Sequence, residues 1–370
     1  MCVGEAGIRC GLIWRGVRTL VLMLCVTLGA RGDSLVALSP DGTRVAWTTS
    51  DNDATVVWEG SWRSTIGARR IISFDEPIER LEFAGASSHL LVQASGFVFG
   101  VDVASGARRR LGPERADTRI LASQGHTPGV VMLGINARDQ RYFDLWRGDV
   151  RTGGVQPVQE QPGVSDGWFI DGVAFDSSLV ARLLIGRDSD GHRVLLHASF
   201  DGATGSTTRP IGSQARGSMR WHAFRDDTSL VYLVERVSSR DVLRVVDLRD
   251  DSETTLFEVD GATIDDVLMR PGNAGVQAIR VVRSDGSVVW SVRDVSIEQD
   301  LTSIRRTIIV PFEVVARSSD QQAWLVRWEV DGTSRFGVYD SSTRLVQELT
   351  LGAARADGTG TPEVPATGDR

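Results

Sequence analysis

The sequence predicts an all-β fold, a seven-bladed β-propeller of four-stranded blades spanning residues 33–352. Three observations carry this. Short β-branched and aromatic runs, such as Arg44-Val45-Ala46-Trp47-Thr48, Thr55-Val56-Val57-Trp58, Leu230-Val231-Tyr232-Leu233-Val234 and Val288-Val289-Trp290, are bounded by Gly, Asp, Ser and Asn, as strands bounded by turns are. No stretch after residue 30 shows a sustained helical period with caps. Two turn patterns also recur at roughly 40 to 50 residues, a spacing that marks propeller blades.

The first pattern is a strand, a polar turn and a strongly apolar strand. It reads Leu38-Ser39-Pro40-Asp41-Gly42-Thr43-Arg44-Val45-Ala46-Trp47, and returns at Phe83–Val92, Phe224–Tyr232 and Arg317–Val326. The second is an apolar-Asp strand end followed by a Gly or Ser turn. Val101-Asp102-Val103-Ala104-Ser105-Gly106, Gly148–Gly153, Val246–Asp251 and Tyr339–Arg344 share it. The first fits the hairpin between a blade's two inner strands, and the second the hairpin leading to its outer strand. Asp, Ser and Gly belong there because they tolerate tight-turn backbone. Together they give seven units, starting near Ser34, Glu76, Asp117, Val164, Arg216, Ala262 and Pro311, with the third, fourth and sixth matching least cleanly. The last unit ends near Leu351 and shows no sign of sharing a blade with the first strand. A four-stranded sheet cannot bury both its faces alone, so Trp47, Trp58, Trp146, Trp168, Trp221, Trp290, Trp324 and Trp328 are expected between blades.

The chain has 370 residues, 24% of them charged, and a formal net charge of -7. All 41 basic residues are arginine, and they are scattered, so no basic face for nucleic acid is in view. Cys2, Cys10 and Cys25 precede the globular part and build neither a disulfide framework nor a metal site. His89, His126, His192, His197 and His222 form no zinc-type pair, and neither a metal nor another cofactor is expected. Arg9, Arg15 and Arg18 precede an uncharged apolar run, Leu20–Leu28, followed by Gly29, Ala30 and Gly32. Residues 1–32 thus read as a signal peptide, or an anchor if uncleaved, and predict export to the periplasm or beyond. Residues 353–370, rich in Gly, Thr, Pro and Ala, read as a disordered tail or linker stub.

With the repeat in view, Leu38–Trp47 resembles the strand-turn-strand unit of TolB-like and peptidase propellers, a WD40-like arrangement. Gly129–Arg147 running into Asp149-Val150-Arg151-Thr152-Gly153 resembles a segment in the N-terminal propeller of prolyl oligopeptidase-type serine peptidases, notably the acylaminoacyl-peptidase-like group. Phe312–Ser318 followed by Ala323–Val326 resembles that group's last blade, and the likeness runs from about Asp33 to Leu351. In that family an α/β-hydrolase domain follows, with a serine on a G-x-S-x-G elbow. No G-x-S-x-G occurs here; Gly85-Ala86-Ser87-Ser88-His89 fails at the final glycine, and no histidine follows His222. No catalytic residue is carried over, and the chain as it stands is not expected to be an enzyme.

The resemblance implies a non-catalytic domain that restricts which substrates reach a hydrolase. Its expected partners are a hydrolase or other protein in trans and a peptide-like ligand, with the membrane touched only through residues 1–32. A TolB-like exported interaction scaffold is the alternative. Asp51-Asn52-Asp53 and Asp188-Ser189-Asp190-Gly191 lack full calcium-loop spacing and read as turns. Asp250-Asp251 and Asp265-Asp266 read as solvated turn acids. Arg108-Arg109-Arg110 reads as a small basic cluster on a strand.

Overall fold

The computed structural model describes residues 34–351 apart from positions 52, 86–87, 124–126, 141, 161–168, 188–189, 191–192, 202–204, 217–218, 226–228 and 271–273. Seven antiparallel sheets follow one another along the chain. Blade one is β1 (Val36–Leu38), β2 (Arg44–Asp51), β3 (Ala54–Ser61) and β4 (Ser64–Phe74). Blade two is β5 (Ile78–Phe83), β6 (His89–Ala94), β7 (Phe97–Asp102) and β8 (Arg108–Leu111). Blade three is β9 (Thr118–Ala122), β10 (Val130–Asp139), β11 (Tyr142–Asp149) and β12 (Val155–Gln159). Blade four is β13 (Phe169–Phe175), β14 (Ala181–Arg187), β15 (Arg193–Asp201) and β16 (Gly205–Arg216). Blade five is β17 (Met219–Phe224), β18 (Leu230–Val237), β19 (Arg240–Asp247) and β20 (Ser252–Asp260). Blade six is β21 (Ala262–Met269), β22 (Val276–Arg283) and β23 (Val288–Val292), and blade seven is β24 (Phe312–Arg317), β25 (Ala323–Val330), β26 (Thr333–Asp340) and β27 (Leu345–Glu348).

The seven-bladed all-β reading holds, and six of the expected unit starts lie beside the first strands of their blades, while Val164 lies outside the described residues. Two details are corrected in blade six, which has three strands among the described residues rather than four. After β23 the chain makes a 3-10 turn, Val295–Ile297, and then a helix, α1 (Glu298–Thr307). Ile297, Leu301, Ile304 and Ile308 are buried at helical spacing. Asp294 caps the 3-10 turn by accepting from Ser296 N at 3.0 Å, and Arg305 and Arg306 sit in the last turn of α1, where cations suit the helix dipole. The helical signal was present but confined to one short window among strands. Residues 1–32 and 353–370 lie outside the described residues.

Each blade-to-blade interface holds one apolar cluster. Blades one and two bury Phe74, Phe83 and Leu90, and blades two and three bury Leu91, Leu111 and Leu133. Met132 and Phe175 join blades three and four, Leu183 and Val231 blades four and five, and Leu243 and Ile279 blades five and six. Trp290, Trp324, Trp328 and Tyr339 fill the six–seven interface together with α1, while Trp47, Trp58, Trp62 and Phe336 fill the seven–one interface. The expected inter-blade tryptophans are therefore placed at 47, 58, 290, 324 and 328, and Trp146 packs partly against the two–three cluster. Trp168 lies outside the described residues, and so does the side chain of Trp221.

The second turn pattern has one physical basis. Asp102, Asp149, Asp247 and Asp340 each end a third strand and accept a main-chain N–H two or three residues on: Ser105 at 2.7 Å, Arg151 at 2.8 Å, Arg249 at 3.0 Å and Ser342 at 2.9 Å. In each turn the N–H four residues on returns to the Asp carbonyl, from Gly106, Gly153, Asp251 or Arg344 at 2.7–2.9 Å. That fourth residue always has a positive φ, between 59° and 77°. A second tie joins this turn to the first hairpin of the same blade. Val103 N, Val150 N, Leu248 N and Ser341 N donate to the carbonyls of Ser88, Gly129, Ser229 and Gln322.

Among the described residues no blade is shared between the chain ends, a point the sequence left open. The ring closes where the Ser39–Arg44 hairpin of blade one meets the Ser318–Ala323 hairpin of blade seven. The two hairpins are near copies: Ser39 Oγ and Ser318 Oγ donate to Asp41 and Asp320 at 2.6 Å, and accept from Arg44 N and Ala323 N at 2.9 and 3.0 Å. Ser319 N donates to Pro40 O at 2.7 Å, and Arg63 reaches Asp340 at 3.1 Å. Trp62, which the sequence reading passed over, is buried here with its Nε1 donating to Gly42 O at 2.6 Å. Gly42 (φ +68°) leaves no room for a side chain, since a Cβ there would stand 2.8 Å from Ser318 Cβ.

Gly42→Ala is expected to destabilise the fold by about 2–3 kcal/mol, combining αL strain with a clash against the Ser318 and Ala323 side chains at the seam. Gly332→Ala shares the positive φ (+73°) but meets nothing within 4 Å, and should cost only about 1 kcal/mol. Denaturant melts of the two variants check the difference; equal losses would show that the seam is not tightly packed.

Candidate functional site

The first strand of each blade is a sheet edge, and these edges gather around the ring axis, β1 beside β5 and β24, and β13 beside β17. An edge leaves backbone groups without a sheet partner. Arginines from neighbouring blades occupy several of them. Arg80 Nη1 donates to Ile120 O at 2.9 Å, Arg220 donates to Ile264 O, and Arg317 donates to Met269 O. The first strands of blades two to seven each carry a register break, which bends the strand and re-aims its side chains.

Charge concentrates where blades five, six and seven face the axis. The break in β21 falls between Ile264 and Asp266 and leaves Asp265 as the extra residue. Asp265 pairs with Arg280, and Asp266, 5% exposed, accepts from Val267 N at 2.7 Å. Arg220 of β17 and Arg317 of β24 bracket Asp266 from the two sides. Glu313 of β24 pairs with Arg327 Nε at 2.8 Å. Arg317 Nη1 also donates to Gln277 Oε1 at 2.8 Å and lies over the Trp324 ring at 5.2 Å.

Burial pushes the Asp266 carboxyl up to about 6, opposing the pull of Arg220 and Arg317, with Glu313 adding a like charge. Glu313 is also raised, first by burial. Crowding by protein draws Arg119, Arg220 and Arg317 down, Arg317 to about 10. These three nevertheless keep water-accessible surface. All three are thus partly sheltered by protein, and arginine stays charged there. On blade three, Gly134 makes room for Arg119, which lies 4.0 Å over the Phe143 ring. These inner strands therefore offer guanidinium donors beside a carboxyl that burial pushes up. Such groups bind and orient carboxylates and peptide carbonyls.

Asp265-Asp266, read from sequence as solvated turn acids, is thereby corrected: both lie on an inner strand, and Asp266 is buried. Asp250-Asp251 does lie in a turn. Arg108 and Arg110 are not a free basic patch; they stack on Phe74 and Phe99, and on Phe97. Ser87 and parts of the two suspected calcium-loop fragments fall outside the described residues. Gly85 and Ser88 lie between β5 and β6, and His89 begins β6, in the hairpin where the first turn pattern put them. There Ser88 Oγ lies 3.0 Å from His89 Nδ1, and His89 Nε2 lies 3.7 Å from Asp102 Oδ2. These are the residue types of a hydrolytic triad, but Asp102 Oδ1 is held by the Ser105 N–H and hydroxyl, which keep its carboxyl below the usual range. The cluster ties two turns together. Arg220, Asp266, Glu313 and Arg317 were missed, although a charged residue recurs at Arg80, Arg119, Arg220 and Glu313 just inside the inner strands.

A carboxyl raised on folding costs stability when ionised, and that cost is relieved as pH falls through its folded value. Wild type should therefore gain stability relative to Asp266→Asn as pH is lowered from about 7 to about 5. Thermal melts across that window measure it, and parallel profiles would mean that Asp266 is not raised.

No family model matches the chain. Dipeptidyl aminopeptidase BIII of Pseudoxanthomonas mexicana is 22% identical over 351 residues, which are 89% of this chain and 48% of that protein. The chain thus spans about half the length of this curated relative. Among solved structures, the β-propeller domain of the trilobed protease from Pyrococcus furiosus aligns over 69% of this chain and 77% of its own, at 14% identity and a TM-score of 0.47. TolB from Acinetobacter baumannii aligns over 84% of this chain and 64% of its own, at 10% identity and a TM-score of 0.41. The chain is a propeller similar in sequence to one half of a dipeptidyl aminopeptidase.

Proposed function

We propose that this propeller is a non-catalytic, substrate-gating module of the prolyl oligopeptidase type. It binds peptide along its axis beside a hydrolase unit, whether that unit is carried on the same polypeptide or separately. The observation that carries the reading is the similarity to a dipeptidyl aminopeptidase across 89% of the chain. The axis-facing arginines agree with it, because guanidinium groups on rigid strands suit peptide carbonyls and a terminal carboxylate. Export follows in this proposal from the leader-like run Leu20–Leu28. No helix of the described residues is long and apolar enough to cross a membrane. The same leader also favours a second reading, a TolB-like exported scaffold, which a pull-down recovering an envelope protein instead of a hydrolase would support.

The test pairs two assays on the purified chain. A fluorescent neutral oligopeptide with a free carboxyl terminus should bind, and Arg317→Ala should weaken it by roughly tenfold while a melt confirms folding. Dipeptidyl chromogenic substrates should not be turned over. Turnover sensitive to a serine-directed inhibitor would overturn the non-catalytic reading, and absent peptide binding would overturn the gating one.

A further inference from the structure

Blade six breaks the repeat by placing α1 after its third strand, and α1 stands beside the outermost strand of blade seven. Tyr339 of β26 holds it there by donating to Asp300 at 2.6 Å. Between α1 and β27 lies a groove of about 550 Å³. Val295 and Leu345 line it while 81% and 65% exposed. Arg306 of α1 and Arg344, just before β27, line it as well and take no ion pair among the described residues. Glu298 is the one acidic group on its wall. β27 ends its sheet, so its outer side has no strand partner.

Arg344 carries a second observation. It occupies the positive-φ position of the Asp340 turn (φ 59°), where the equivalent turns of blades two, three and five have Gly106, Gly153 and Asp251. An arginine there is strained for no gain in the turn itself, since its N–H makes the same bond to Asp340 O that glycine makes elsewhere. Its side chain plays no part in the turn and lines the groove instead.

We propose that this groove docks an acidic, extended segment of a partner protein. The segment lies along the outer edge of β27, with carboxylates on Arg306 and Arg344 and alternate apolar side chains on Val295 and Leu345. A sheet edge supplies main-chain bonds, and alternation supplies one charged and one apolar face. Charge complementarity selects the occupant, because these paired cations stand on a chain of net charge -7 that repels acidic segments elsewhere.

The test uses the full chain and fluorescence anisotropy with two probes, a peptide of alternating Glu and Val and one of alternating Lys and Val. The Glu peptide should bind, weaken with added salt, and exceed the Lys peptide. Arg306→Glu and Arg344→Gly should each weaken it by roughly threefold to tenfold. Arg344→Gly separates binding from folding, since glycine suits the turn and the melting temperature should hold or rise. Channel variants such as Arg317→Ala should leave this binding unchanged, so its outcome is independent of the gating proposal. Equal binding of the two peptides, unaltered affinity in both groove variants, or Arg344-dependent retention on anionic phospholipid vesicles without peptide binding would each overturn it.

Discussion

A β-sheet that is apolar on both faces cannot stand alone in water, and every blade of this chain is such a sheet. Leu90 and Leu91 show the constraint within two residues. They are adjacent on β6 and both fully buried, one against blade one and the other against blade three. Leu183 and Leu184 on β14 are likewise adjacent, both fully buried, and belong to two separate clusters. Strand alternation thus demands a neighbour on each side of each blade, and only a closed ring satisfies all of them at once. Burying a Leu or Phe side chain is worth about 1.5–3 kcal/mol. An unmet face would therefore cost far more than a turn or an ion pair contributes.

The polar features answer demands that the ring creates. Turn aspartates hold the hairpins at one end of the blades, and their side chains take up N–H groups that the strands no longer satisfy. At the axis, crowding of seven inner edges strands carbonyl groups, and arginines from adjacent blades reach them. Asp266 is the counter-charge that makes two of those arginines tolerable in one place, and its raised carboxyl reflects how little water is left to share the charge. The same groups thus serve the structure and the proposed recognition. The donors that tie blades five, six and seven are those that the proposed peptide binding would use.

Much of the fold was legible because the turns carry it. Ser39-Pro40-Asp41-Gly42 and Ser318-Ser319-Asp320-Gln321 specify one geometry with different letters, and Gln321 adopts the positive φ of Gly42. Asp102, Asp149, Asp247 and Asp340 are spaced by the blade repeat itself. What stayed hidden were features that depend on which strand is innermost. Asp265-Asp266 looks like any acidic turn until a register break in β21 places it between Arg220 and Arg317. Helix α1 was overlooked because Ile297, Leu301, Ile304 and Ile308 supply a helical period over a single short segment, flanked closely by strands. The basic triplet at 108–110 was visible as charge, but Phe74, Phe97 and Phe99, which its arginines cover, come from two other strands, β4 and β7.

The seam between blades one and seven differs from the other six interfaces in kind. Those six join blades that follow one another along the chain, so each can form as soon as its second partner does. The seam joins Arg63 to Asp340, 277 positions apart, and must absorb the loop-closure entropy of nearly the whole propeller. It has no shared sheet to offset that loss, only two matched hairpins, one ion pair and an apolar cluster. In kinetic terms the ring behaves as a row of blades with a latch. Its closure entropy is the largest of the seven, so the latch is where the ring is expected to open first.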